Sequence, residues 1–164
     1  MNEEKMADFN LSESDFATML GAAMKGATVS DIANMNTETI EGLYTLAYNL
    51  YTSGNYADAE TVFRALCVYK HTEYRFWMGL GGSCQALGKF KEAIDAYSMA
   101  GVSTALKNPE PFMFAALAYL KMGDKENAIA SLKGLLTMGD DSPAHVACRE
   151  KAGELLKLLE AKQN

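Results

Sequence analysis

Three tyrosines, Tyr44, Tyr48 and Tyr51, stand four and then three residues apart in the sequence. This spacing places their side chains on one face of an α-helix. A row of phenol rings offers apolar contact, and its hydroxyls can hydrogen-bond to the backbone of an extended peptide. The row therefore predicts a peptide-binding wall. The alternative is that the rings pack beneath an N-terminal helix or across a dimer.

Residue types that carry out catalysis are sparse in the chain. Neither histidine, His71 or His145, has a Cys, Asp or Glu at metal-ligand or catalytic spacing on the same helical face. The three cysteines follow no Cys-x-x-Cys pattern and stand at apolar helical positions, which is typical of reduced core thiols. The glycines Gly79, Gly81 and Gly82 resemble part of a phosphate-binding loop, but no strand pattern precedes them. We therefore predict a protein that is not an enzyme and that uses no metal or cofactor.

The elements that must position the tyrosines are repeated helix pairs. Gly54, Gly88 and Gly123 are 34 and 35 residues apart, the period of a tetratricopeptide (TPR) unit with one inserted residue before the third unit. Large and small residues recur in step with these glycines. They are Leu43, Trp77 and Phe112 in the first helices, Ala47, Gly81 and Ala116 one turn later, and Ala59, Ala93 and Ala128 in the second helices. The sequence predicts an all-α fold of three TPR helix pairs in a right-handed superhelix.

Further helices are predicted on both sides of the repeats. An N-terminal helix with Phe16, Met19 and Leu20 on one face either caps the array or contacts a second copy of the protein. A C-terminal helix begins at Pro143 and has a polar outer face, as a terminal cap needs. The predicted divisions are 1–36 for the N-terminal tail and helix, 37–140 for the repeats (about 40–73, 74–107 and 109–142), and 143–164 for the C-terminal capping helix and tail.

The first helix of each TPR unit lines the concave groove of the superhelix. Counting equivalent positions from Ile40, Tyr74 and Pro109 gives the predicted site residues. They are Tyr44, Tyr48, Tyr51, Met78, Gln85, Met113, Leu117 and Leu120, with Glu41, Arg75, Gly82 and Glu110 at the remaining positions. TPR co-chaperones that grip a C-terminal carboxylate resemble each other in having Lys and Asn where this chain has Tyr44 and Tyr48. An apolar or mixed internal peptide therefore suits this groove better.

Composition limits the classes of partner. The chain has 164 residues, of which 49% are hydrophobic, and a formal net charge of −6. The clustered Lys and Arg that nucleic-acid phosphates need are missing, so a protein partner is predicted. No apolar run is long enough to cross a bilayer, and the first residues are acidic instead of basic then apolar. Together with the reduced cysteines, these features predict a cytoplasmic protein.

Four segments resemble one particular family. They are LYTLAYN at residues 43–49, SGNYADAE at 53–60, FRALCVY at 63–69 and RFWMGLG at 75–81. Over roughly residues 12 to 140 the chain resembles the class II chaperones of type III secretion systems, which keep pore-forming translocator proteins soluble in the bacterial cytoplasm.

The resemblance implies a groove that takes a short N-terminal translocator segment, typically Pro-x-Leu-x-x-Pro. Tyr44, Tyr48, Tyr51 and Met78 stand at the groove positions of the family. It also implies one or two hydrophobic translocators as partners, a homodimer of the free chain formed through the N-terminal helices, and, in some members, assistance to a transcription activator. The alternative functions are a TPR scaffold within a multiprotein assembly and a regulator that works chiefly with a transcription factor.

Overall fold

The computed structural model of the chain describes residues 37–161, which form seven α-helices and no strand. Along the chain these are α1 Thr37–Thr52, α2 Tyr56–Tyr69, α3 Tyr74–Ala86, α4 Phe90–Ser103, α5 Glu110–Lys121, α6 Lys125–Leu135 and α7 Pro143–Ala161. Each helix packs against the next one, and the pairs α1 with α3 and α5 with α7 are also in contact. This confirms the predicted all-α array of helix pairs. The predicted N-terminal helix, with Phe16, Met19 and Leu20, lies outside the described residues.

The three period-setting glycines lie in the turns inside the helix pairs, as predicted. Gly54, Gly88 and Gly123 have φ values of +85°, +75° and +80°, which other residues rarely adopt. In each turn the amide after the glycine donates a hydrogen bond of 2.9 Å to a carbonyl five residues earlier. These bonds join Asn55 N to Leu50 O, Lys89 N to Cys84 O, and Asp124 N to Tyr119 O. Such bonds cap the first helix of each pair and reverse the chain sharply.

Glycines inside α3 and α4 let aromatic rings approach the helix backbone. A Cβ atom at Gly81 would stand 2.5 Å from the ring of Tyr97, and one at Gly101 would stand 2.6 Å from Phe112. Gly79 faces the ring of Phe63 in the same way. Gly79 and Gly81 are therefore packing positions within α3, as the sequence predicted.

The core runs through the repeats and ends beneath α7. The first and second units share one cluster of buried residues, including Phe63, Phe76 and Tyr97, all at most 2% exposed. A second cluster joins Leu132 and Leu135 of α6 to Ala152 of α7. The last helix thus covers the apolar end of the third unit, the role predicted for a C-terminal cap.

A buried carboxylate ties the first unit to the second. Glu60 of α2 is 8% exposed, and its oxygens lie 2.6 Å from Arg64 Nη2 and 2.7 Å from Lys89 Nζ in the α3–α4 turn. These hydrogen bonds, with Lys89 contributing most and Arg64 next, lower the pKa of Glu60. The carboxylate therefore stays ionised and bonded where it is shielded from water.

Candidate functional site

A groove with a volume of about 600 Å³ lies across the first helices of the three units. We call it the tyrosine groove. Its lining is contributed mainly by α1, α3 and α5, which is the geometry of a concave TPR face. The lining residues are Tyr44, Tyr48, Tyr51, Phe63, Tyr74, Arg75, Met78, Gly79, Gly82, Gln85, Ala86, Phe90, Tyr97, Glu110, Phe114 and Lys121.

The three α1 tyrosines contribute differently to this groove. Tyr44 is half-buried, because its ring packs against Phe76 at a centroid distance of 5.8 Å and against Phe63 at 6.1 Å. Tyr48 is 53% exposed. Tyr51 is half-buried, with its ring 5.4 Å from that of Tyr56. Tyr44 and Tyr51 are thus held by the protein itself, whereas Tyr48 is open to a guest molecule.

A charged cluster fixes the Tyr44 end of the groove. The guanidinium of Arg75 lies 4.7 Å from the centroid of the Tyr44 ring, within the range of a cation–π contact. It also donates to Glu41 at 2.7 Å and to Glu73 at 3.1 Å. These two bonds, the one to Glu41 being the larger effect, raise the pKa of Arg75, and Arg75 in turn lowers the pKa of Glu41. The Arg75 guanidinium is therefore already paired, and its bond to Glu41 links α3 to α1.

Another part of the groove lining consists of aromatic rings whose hydroxyls are hydrogen-bonded. Tyr97 stacks on Phe114 at 5.5 Å, and its hydroxyl donates to Gln85 Oε1 at 3.1 Å. Tyr74 donates a hydrogen bond to Glu110. Burial raises the pKa values of both tyrosines, and Glu110 raises that of Tyr74 further. Both hydroxyls therefore remain protonated and serve as hydrogen-bond donors to Glu110 and Gln85.

Five of the eight predicted site residues come together here. Tyr44, Tyr48, Tyr51, Met78 and Gln85 all line the tyrosine groove. The other three, Met113, Leu117 and Leu120, do not line it. Met113 packs with the α7 cluster, Leu117 is 36% exposed, and Leu120 is half-buried.

The departure in the third unit has a geometric cause. Counting from Pro109, α5 presents Glu110, Phe114 and Lys121 to the groove, at offsets one, five and twelve. The prediction used offsets one, four, eight and eleven, and of these only offset one, Glu110, lines the groove in α5. One residue turns a helix by about 100°, so Met113 and Phe114 point to different sides of α5.

Several lining residues were not predicted from the sequence. Tyr74, Phe90, Phe114 and Lys121 contribute side chains to the groove, and Tyr97 reaches it from a second helix. Offset five would have found Gly79 and Phe114, and offset twelve would have found Ala86 and Lys121. No offset in the first helices could have found Tyr97, because Tyr97 lies on the second helix of its unit, at a repeat position that is typical of the core.

The described residues show no catalytic or metal centre. Residues 37–161 contain no group of three or more His, Cys, Asp or Glu side chains that could hold a metal ion. His145 Nδ1 does lie 2.7 Å from Asp140 Oδ1, a loop pairing that helical spacing did not predict. The nearby thiol of Cys148 has its pKa raised by burial, the opposite of what a nucleophile needs.

No helix in the described part of the chain has the length and apolar character needed to span a membrane.

Repeated helix pairs around a concave groove define a tetratricopeptide repeat protein, and the tetratricopeptide repeat family matches residues 40–72, 76–101 and 110–138. Low calcium response locus protein H of Yersinia pseudotuberculosis is 34% identical over 138 residues, covering 84% of this chain and 82% of its own length. Chaperone protein SicA of Salmonella typhimurium is 37% identical over 115 residues, covering 69% and 68%.

Solved structures give the same relationship. Yersinia enterocolitica chaperone SycD, crystallised with a peptide of the translocator YopD, superposes with a TM-score of 0.72 at 34% identity, covering 79% of this chain and 98% of that one. PcrH, from Pseudomonas aeruginosa, bound to the chaperone binding region of PopD, gives a TM-score of 0.73 at 31% identity, covering 79% and 97%. The chain belongs to the family of type III secretion translocator chaperones. This is a non-enzymatic family, and the chain is not an enzyme.

Proposed function

We propose that this chain is a chaperone that holds an extended segment of a hydrophobic type III translocator in the tyrosine groove. Binding keeps the translocator soluble until it is secreted. The observation that carries the proposal is the groove itself, a cavity of about 600 Å³ walled by three tyrosines of one helix and open at Tyr48. Cavities of several hundred Å³ with aromatic walls and a few polar groups are typical binding sites.

The groove is preorganised for a flexible guest. The ring of Tyr44 is fixed by Phe76 and Phe63 on the protein side and by the Arg75 guanidinium. An ordered wall loses little conformational entropy on binding, which offsets part of the entropy lost by a disordered segment. We expect the affinity of the groove for the translocator segment to be high enough for selectivity and low enough for the segment to be released before secretion.

At the Tyr44 end of the groove, the electrostatics favour an internal segment over a free C-terminus. Arg75, the guanidinium of the groove, is paired with Glu41 and Glu73. A terminal carboxylate would have to displace one of these partners. The apolar surfaces of Met78, Phe114 and the tyrosines instead suit aliphatic side chains.

Relatives support the type of guest. SycD was crystallised with a peptide of the translocator YopD, and PcrH with the chaperone binding regions of PopD and of PopB. Related chaperones that share about a third of their residues with this chain thus hold translocator segments. We extend this activity to the present chain and place it in the bacterial cytoplasm, where a translocator needs protection before export.

The test is co-expression with the translocators encoded in the same genome. Because Tyr44 is part of the core, Tyr44→Ala would also weaken the fold, and the informative change is Tyr48→Ala. Losing one exposed ring should weaken translocator binding about tenfold, with the melting temperature unchanged. Leu158→Ala is the control, since Leu158 is a large apolar residue that is 62% exposed, lies on α7 and does not line the groove. Equal binding by wild type and Tyr48→Ala would refute the groove assignment.

The free chain is also proposed to form a homodimer through Phe16, Met19 and Leu20, and SycD has been crystallised as a dimer. Replacing these three residues with Asp should convert the free protein to a monomer in light scattering. A dimer of unchanged mass would contradict this assignment.

A further inference from the structure

A second cavity of about 320 Å³ lies between α5 and the C-terminal helix. We call it the α7 cavity. It is lined by Asn108, Glu110, Met113, Phe114, Ala144, His145, Ala147, Cys148 and Lys151. Five of these residues are supplied by α7, four of them by its first two turns. The capping helix therefore does more than cover the end of the core.

The two cavities adjoin at two side chains of α5. Glu110 and Phe114 line both the tyrosine groove and the α7 cavity. Phe114 is stacked on Tyr97 on the groove side, and Glu110 is hydrogen-bonded to Tyr74. An extended chain advances about 3.3 Å per residue, so only a few residues separate a contact in the groove from one in the α7 cavity.

The walls of the α7 cavity are suited to an aliphatic side chain. Met113, Phe114, Ala144 and Ala147 provide apolar surface, and Met113 can adapt to the shape of a guest. Burial raises the pKa of the Cys148 thiol, which indicates a poorly solvated environment. The polar groups, including the exposed ammonium of Lys151, can face the backbone of a guest.

We propose that the α7 cavity is a second subsite for the same translocator segment, receiving an aliphatic side chain beyond the residues that contact the tyrosine row. This inference rests on the proposed chaperone function. It makes α7 a determinant of guest specificity, because Ala144, Ala147 and Cys148 shape the subsite without taking part in the repeats.

The thiol of Cys148 provides a direct probe. Cys67 and Cys84 are 3% and 0% exposed, with pKa values raised by burial to about 12 and about 11, so Cys148 is the cysteine open to N-ethylmaleimide. Intact-mass measurements on the native protein should show one adduct, and none for Cys148→Ser. Saturating amounts of overlapping peptides that tile the translocator from the same genome should include one that slows the reaction about tenfold or more. A peptide that binds the wild-type chain without protecting Cys148 would overturn the subsite.

A steric variant separates the subsite from the groove. Ala147 is exposed and lines the α7 cavity, so Ala147→Phe should fill it and weaken the same peptide about tenfold while the melting temperature stays unchanged. Ala130→Phe is the matched control, an exposed alanine of α6 that lines neither cavity. Loss of affinity with Tyr48→Ala but not with Ala147→Phe would overturn the subsite and leave the groove standing. No binding of any tiled peptide to the wild-type chain would overturn both.

Discussion

The close approach of Tyr97 to Gly81 gives the sharpest quantitative prediction. A Cβ at Gly81 would stand 2.5, 2.6 and 3.0 Å from three carbons of the Tyr97 ring, where ordinary carbon contacts are about 3.5–4.0 Å. The ring is 2% exposed, its hydroxyl is bonded to Gln85, and its face is stacked on Phe114. It therefore cannot move aside without losing other contacts.

The expected effect of Gly81→Ala follows from two opposing contributions. Overpacking of a filled core costs about 1–3 kcal/mol, whereas replacing glycine by alanine inside a helix contributes about 1 kcal/mol of stability. We expect the free energy of unfolding to fall by roughly 0–2 kcal/mol. Because Tyr97 also lines the tyrosine groove, translocator binding should weaken in the same variant.

Gly153→Ala is the matched control. Gly153 lies inside α7, and a Cβ there would meet nothing within 4 Å. The same substitution should raise the free energy of unfolding by up to about 1 kcal/mol. Urea denaturation followed by circular dichroism should therefore separate the two variants by about 1–3 kcal/mol, or roughly 2–12 °C in melting temperature. The packing argument fails if Gly81→Ala is as stable as Gly153→Ala.

Two further substitutions test the contacts and loops that connect neighbouring repeat units. Glu60→Gln should lower the free energy of unfolding near neutral pH by about 1–2 kcal/mol, since it removes the charge bonded to Arg64 and Lys89. Because the pKa of Glu60 is lowered in the fold, its contribution to stability is present above the ordinary carboxyl pKa and is lost as the pH falls through the lowered value. The free energies of unfolding of wild type and variant, plotted against pH, should therefore converge in acid. A constant difference at every pH would contradict this origin. Leu106→Gly should stabilise the chain by about 0.5 kcal/mol, because Leu106 is 50% exposed and has a φ of +60°. Leu158→Gly, at a 62% exposed position inside α7, should instead cost about 1 kcal/mol. Thermal melts in which both changes shift the stability in the same direction would refute the argument.

The loop between α4 and α5 has a strained backbone. Ala105 and Leu106 both have positive φ, at +52° and +60°, and they close α4 through amide bonds to Val102 O and Gly101 O. This is where the 34-residue period becomes 35. In α5, which follows this loop, Met113 packs with the α7 cluster and Phe114 lines the groove, whereas in α3 the equivalent Met78 and Gly79 both line it.

The bounds of the helices and the turns between them were determined by the sequence alone. Apolar periodicity and the positive φ of Gly54, Gly88 and Gly123 are local properties, and a chain segment carries them wherever it packs. The turns inside the three helix pairs therefore lie where their glycines predicted them.

Tertiary structure decided which equivalent residues are buried and which face a guest. Leu46, Leu80 and Ala115 hold the same repeat position, yet Leu46 is 48% exposed while the other two are 5% exposed. Burial depends on having a preceding unit to pack against, and no described helix precedes α1. The pairing of Glu60 with Lys89, the support of Tyr44 by Phe76, and the adjoining α7 cavity all join segments distant in sequence. Repeat spacing places residues along a helix, but only the packed array sets the rotation of that helix about its own axis.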